Sequence, residues 1–198
     1  MQAGSRFEFS DLIRGGGWHA AGMCMIGDLL GSEETGEPFS HCVRCRLPLL
    51  EIAQPWLVSH EIQLGECVLE YAICQPCRDA VASQFSAESK EAVREFLVRE
   101  IDWEARLSEF MLSHDMRERF AACIACRRPR GELRAYVRSA WFDSGGHLVS
   151  GPLPCLMCDA CLVRMSGLLS AESQQVWRNF LEANFPGPPS DSGFSGFF

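Results

Sequence analysis

Four Cys-x-x-Cys pairs constrain this chain more than any other feature: Cys42/Cys45, Cys74/Cys77, Cys123/Cys126 and Cys158/Cys161 take eight of its eleven cysteines. They come in two copies. FSHCVRCRLP from Phe39 is answered by FAACIACRRP from Phe120, with Phe, both Cys, Arg and Pro at a constant offset of 81. CQPCRDAVASQFSAES, residues 74–89, is answered by CDACLVRMSGLLSAES, residues 158–173, now at an offset of 84, so the second copy carries three extra residues between its pairs. Arg94, Phe96 and Leu97 then match Arg178, Phe180 and Leu181. Self-similarity of this kind reads as an internal duplication.

Within each copy the order of elements repeats. WLVSHEIQL, a tight turn at Gly65-Glu66 and CVLEYAI read as a β-hairpin. In the second copy AYVRSAWF, the Asp143-Ser144-Gly145-Gly146 cluster and HLVSG read the same way. RDAVASQF and LVRMSGLL follow the second cysteine pair as short helices. Ser86 and Ser170 then stand as N-caps of further helices with a glutamate in the first turn, where the helix dipole favours it. Apolar residues at three- and four-residue spacing, Val93, Phe96, Leu97 and Ile101, carry the first of these helices over 88–112, and the second runs over 171–184 before Pro186.

A Cys-x-x-Cys turn presents two thiolates to one point, and two such turns complete a tetrahedral sulfur site suited to Zn²⁺. The expectation is two zinc ions per chain, one on Cys42, Cys45, Cys74 and Cys77, the other on Cys123, Cys126, Cys158 and Cys161. One pair on a turn before a hairpin, and one at the head of a helix, resembles the treble-clef zinc finger. The resemblance covers roughly residues 39–86 and 120–169 and concerns architecture only, since adaptors and nucleases share it. Two other uses of the cysteines are weighed against zinc. Four disulfides would not need the repeated spacing, and no secretory signal is recognisable. The run Cys155-Leu-Met-Cys158-Asp-Ala-Cys161 has iron–sulfur spacing but lacks the further Cys-Pro of ferredoxin sites. Cys155/Cys158 is also an alternative to Cys158/Cys161, and the position of SAES relative to Cys77 and Cys161 favours the latter. Cys24, Cys67 and Cys155 remain as spare thiols, buried or redox-active.

The fold class expected is α+β: two tandem zinc modules, each extended by a second helix. Residues 1–38 form an N-terminal extension ending in the acidic linker SEETGEP. The modules with their helices occupy 39–112 and 113–186, and 187–198 is a tail containing Phe194, Phe197 and Phe198. An apolar patch with Trp18, Met23, Met25 and Ile26 lies in the extension.

A closed set of four thiolates leaves a metal no open position, so a non-enzyme is expected. His60 and His147, the strand histidines, do not align between copies, and His19, His41 and His114 are scattered. The net charge of −8 counts against nucleic-acid binding, although Arg127, Arg128 and Arg130 form a local basic run. No stretch has the length of a membrane span. The expectation is therefore a cytoplasmic adaptor or regulator whose partner is another protein, with homo-oligomerisation open. A thiol-based redox or metal sensor and a nucleic-acid-binding or HNH-like nuclease are the competing readings.

Overall fold

A computed structural model describes residues 30–185 apart from residues 114, 150 and 153. Cys24, His19, His114, the apolar patch of the extension and the phenylalanine-containing tail lie outside the described residues. Among the described residues from 49 to 184 there are four strands and five α-helices, together with three short 3₁₀ helices. The strands and α-helices run in the order β1 (Trp56–Gln63), β2 (Glu66–Cys74), α1 (Gln75–Ala82), α2 (Ala87–Glu100), α3 (Trp103–Leu112), β3 (Ala135–Phe142), β4 (Cys155–Cys158), α4 (Asp159–Ser166) and α5 (Ala171–Asn184).

The strands form a single antiparallel sheet in the order β2-β1-β3-β4. Its centre joins the two halves of the chain: β1 pairs with β3 along its whole length, from Trp56↔Phe142 through Ser59↔Ser139 to Gln63↔Ala135. β1 pairs on both edges, and packing on either side of the sheet buries both its faces, including Ser59, His60 and Glu61. One face carries Leu57, Ser59 and Tyr71 towards the helices, where Tyr71 meets Phe180 of α5 at 6.1 Å and Phe185 at 5.5 Å. The other carries Trp56, which stacks on Phe142 at 6.0 Å, and His60, which meets Phe39 edge-on at 5.6 Å.

The first hairpin turns at Leu64-Gly65, one residue earlier than expected. Both residues have positive φ (53° and 88°), the pattern of a tight hairpin turn, and Glu66 already pairs with Gln63. In the second copy Asp143 Oδ1 accepts from the Gly145 and His147 amides at 2.8 and 2.9 Å, closing the expected turn. The return leg is less regular than a hairpin. It touches β3 at Phe142↔Leu148 and regains register only at Ser139↔Cys155. Pro152 and Pro154 cannot donate to a ladder, and the buried guanidinium of Arg106 takes both their carbonyls.

Ser86 and Ser170 cap α2 and α5 as expected, accepting from the Ser89 and Ser173 amides at 3.1 and 3.2 Å. The helix read over 88–112 is broken. Ile101 is extended and buried, and Asp102 caps a new helix by accepting from the Ala105 amide at 2.9 Å. A local side-chain cap and burial of Ile101 outweigh the apolar periodicity. The start of the acidic segment, residues 32–34, is held on the sheet. The Glu70 carboxylate accepts from Ser32 Oγ at 2.5 Å and the Glu33 amide at 2.7 Å, and Arg138 pairs with Glu33.

Candidate metal centres

Each centre is assembled from a turn and a helix start. At the first, the Cys42 amide donates to Leu47 O at 3.0 Å and the Arg46 amide to Cys42 O at 2.9 Å. The second repeats this with Cys123 to Arg128 O and Arg127 to Cys123 O, both at 2.9 Å. The residue after each turn, Arg46 or Arg127, has φ of 62°, a left-handed conformation unusual outside glycine. Each turn is docked on a strand: Val43 N–H donates to Ala72 O at 2.8 Å, and Ile124 N–H to Leu156 O at 2.7 Å. The other pair of cysteines starts a helix. Cys74 and Cys158 are the N-cap residues of α1 and α4, and Cys77 and Cys161 lie in their first turns, where free backbone N–H groups favour thiolate.

These pieces bring Cys42, Cys45, Cys74 and Cys77 into one cluster and Cys123, Cys126, Cys158 and Cys161 into another, all sulfurs of each lying within 4.8 Å of one another. Each group of four can hold a metal ion. Cys45 Sγ lies 3.9 Å from Cys74 Sγ, and Cys126 Sγ 3.6 Å from Cys158 Sγ. A tetrahedron with metal–sulfur bonds of about 2.3 Å has edges of about 3.8 Å, whereas a disulfide closes to about 2.05 Å. The Cys74 and Cys158 amides also donate to Cys42 Sγ and Cys123 Sγ at 3.5 and 3.4 Å, tying helix start to turn.

The thiols differ in proton affinity. At Cys42 burial works upward, but backbone amides of Cys45, Cys74 and Arg44 outweigh it and bring the thiol to about 7. Burial pushes Cys77 and Cys158 up to about 11, and Cys74 and Cys161 up as well. Cys126 is the exposed member of its cluster. It is lowered because the Arg128 amide and neighbouring thiols outweigh what burial it has.

The remaining candidates stand apart. Cys155 is buried on β4, 3.6 Å from Ser139 Oγ, outside the second cluster, and burial raises its thiol. Cys67 lies 3.6 Å from Glu70 Oε2, and burial with that charge pushes it up to about 12. Buried His60 lies 2.8 Å from Gly31 O through Nε2, whereas His147 is exposed in the turn with Nδ1 3.3 Å from Asp143. His41 is exposed beside Ser40. No helix among the described residues is long and apolar enough to cross a membrane.

The chain matches no family model, no curated protein and no solved structure.

Proposed function

We propose that this is a zinc-binding, non-catalytic protein built from two tandem treble-clef-like modules that arose by internal duplication, and that it acts as a protein–protein interaction adaptor or regulator. The observation that carries this reading is the pair of four-sulfur clusters, all sulfurs of each within 4.8 Å and one sulfur–sulfur distance in each, 3.9 and 3.6 Å, near that of a tetrahedral edge. Soft thiolate donors in this geometry suit Zn²⁺, and four of them leave it no open position for a substrate. Bound zinc would supply folding free energy by clamping each turn to its helix.

Function then resides in surfaces. Support for a protein partner comes from α3, whose Leu107, Met111 and Leu112 are exposed, and from exposed Leu47 and Leu50 beside the first centre. Photo-crosslinking from position 111 of the metal-loaded chain in its host cell tests the adaptor reading. Adducts with one defined protein are expected; adducts with nucleic acid, or none, contradict it. A second reading, a thiol-based redox or metal sensor, draws on exposed Cys126 alone. It requires reversible metal loss from the second centre under mild oxidation.

A further inference from the structure

The register of the sheet relates the two halves in a way that the repeat alone does not show. Cys74 pairs with Trp56, and its match Cys158 pairs with Tyr136. Tyr71 pairs with Ser59, and its match Cys155 pairs with Ser139. Ser59 of β1 therefore corresponds to Ser139 of β3, and these two residues pair with each other in the ladder that joins the halves. An antiparallel ladder in which a residue faces its own counterpart has a two-fold axis through that pair. The flanking pairs obey it, since the axis exchanges Val58↔Ala140 with His60↔Arg138.

The pattern recurs at the helix starts. Ser86 and Ser89 match Ser170 and Ser173. The Ser86 amide donates to Ser173 Oγ at 3.0 Å and the Ser170 amide to Ser89 Oγ at 2.9 Å, a reciprocal exchange. Ser86 Oγ also lies 3.4 Å from Ser170 Oγ, once more a residue against its own counterpart. Tandem repeats that follow one another along a stack meet head to tail, through two different surfaces. Here both halves use the same surface, which is the isologous contact of a two-fold dimer.

We infer that the contact between the halves is a dimer interface carried within one chain. The surface around Ser59, Ser86 and Ser89 fits a second copy of itself, and so does the surface around Ser139, Ser170 and Ser173. In a pair of first halves the same register sets Val58 against the copy's His60 and Leu57 against the copy's Glu61. In a pair of second halves it sets Tyr136 against the copy's Phe142 and Val137 against the copy's Trp141. Neither arrangement puts like charges opposite one another. The covalent connection favours the unlike pair by raising the effective concentration of each half around the other. The inference extends the duplication proposed above, but that duplication would stand without it, because the repeated order of cysteine pairs does not depend on how the halves meet.

The test uses the metal-loaded full chain with a specific protease site inserted after Ser113, cut once folded, then unfolded and refolded with zinc. Native mass spectrometry separates first–second, first–first and second–second pairs by mass, and the same spectra count the metal, so the zinc reading is judged separately. All three pairs are expected, the unlike pair most abundant. Ser89→Ala removes one clasp acceptor from the unlike pair and two from the first–first pair. It should weaken them roughly tenfold and roughly a hundredfold respectively. Ser59→Cys sets two thiols face to face only in the first–first pair, where oxidation should link the peptide to itself through position 59. Unlike pairs alone, equal losses in both pairs with Ser89→Ala, or no self-linked peptide would overturn the inference. Halves that fail to re-form even the unlike pair would overturn it too, since a dimer interface assembles without a covalent link.

Discussion

At the scale of single residues, position in the backbone separates cysteines that can hold metal together from cysteines that stand apart. Cys161 sits in the first turn of α4 with its sulfur in the second cluster, whereas Cys155, three residues before Cys158, points between strands at Ser139. Cys161→Ser should therefore cost one metal ion per chain, and Cys155→Ser none; native mass spectrometry reads both. Spacing alone left these two cysteines as rivals; the repeated distance to SAES favoured Cys161, whose sulfur lies in the second cluster while that of Cys155 does not. Proton affinity gives a second prediction. Cys74 and Cys77 are raised by burial and must each release a proton when metal binds, while Cys42 at about 7 is already half ionised near neutrality. Metal binding thus releases protons and weakens as pH falls. Below neutrality the apparent affinity of the first centre should drop by at least about a hundredfold per pH unit, one factor of ten for each proton. Competition with a chromophoric chelator at two pH values checks it, and a flat profile contradicts it. Glu70 and His60 were invisible as partners in the sequence, because what makes Glu70 matter is the segment 32–34 brought to it by the fold.

At the scale of elements, the repeated SAES has a physical use beyond capping. The Ser86 amide donates to Ser173 Oγ at 3.0 Å and the Ser170 amide to Ser89 Oγ at 2.9 Å, so each helix start is closed by the other's serine. Ser89 and Ser173 are fully buried. Replacing both by Ala removes both acceptors and should cost about 1–3 kcal/mol for each amide left unpaired. Urea unfolding of the metal-loaded chain measures it, and a loss below about 0.5 kcal/mol in total would contradict the clasp. The Glu70 latch has its own signature. Burial works to raise its carboxyl, but Ser32 Oγ and the Glu33 and Glu34 amides outweigh it, so it is lowered overall. Its contribution to stability is therefore present above the ordinary carboxylate range and fades as pH falls through the lowered value. Glu70→Gln should speed hydrogen exchange at the Glu33 amide at neutral pH, and unchanged exchange would count against the latch. Both N-caps were legible because Ser followed by Glu two residues on is a local signal. The break at Ile101-Asp102 was not, because the apolar spacing runs straight through it.

At the scale of the molecule, the two halves of the chain depend on each other through the β1–β3 ladder and through exchanged helices. Phe180 of α5 meets Tyr71 of the first half, while Arg164 of α4 bonds Glu100 at 2.6 Å and covers Phe96 of α2. Two hairpins with helices could be read from the sequence. That they share one sheet could not, because the residues pairing across its centre, Ser59 with Ser139 among them, carry no signal of which strand they will meet. The two centres are not equivalent, since the second exposes Cys126 to solvent and the first has no exposed cysteine. A chelator should therefore strip the second centre first, leaving a one-metal intermediate in native mass spectra; simultaneous loss would contradict this. The metal and sulfide content of the chain purified without added metal decides whether the two clusters are zinc sites. Two zinc ions per chain and no inorganic sulfide are expected. Iron with sulfide, or a metal-free chain with its cysteines in disulfides, would contradict the zinc assignment.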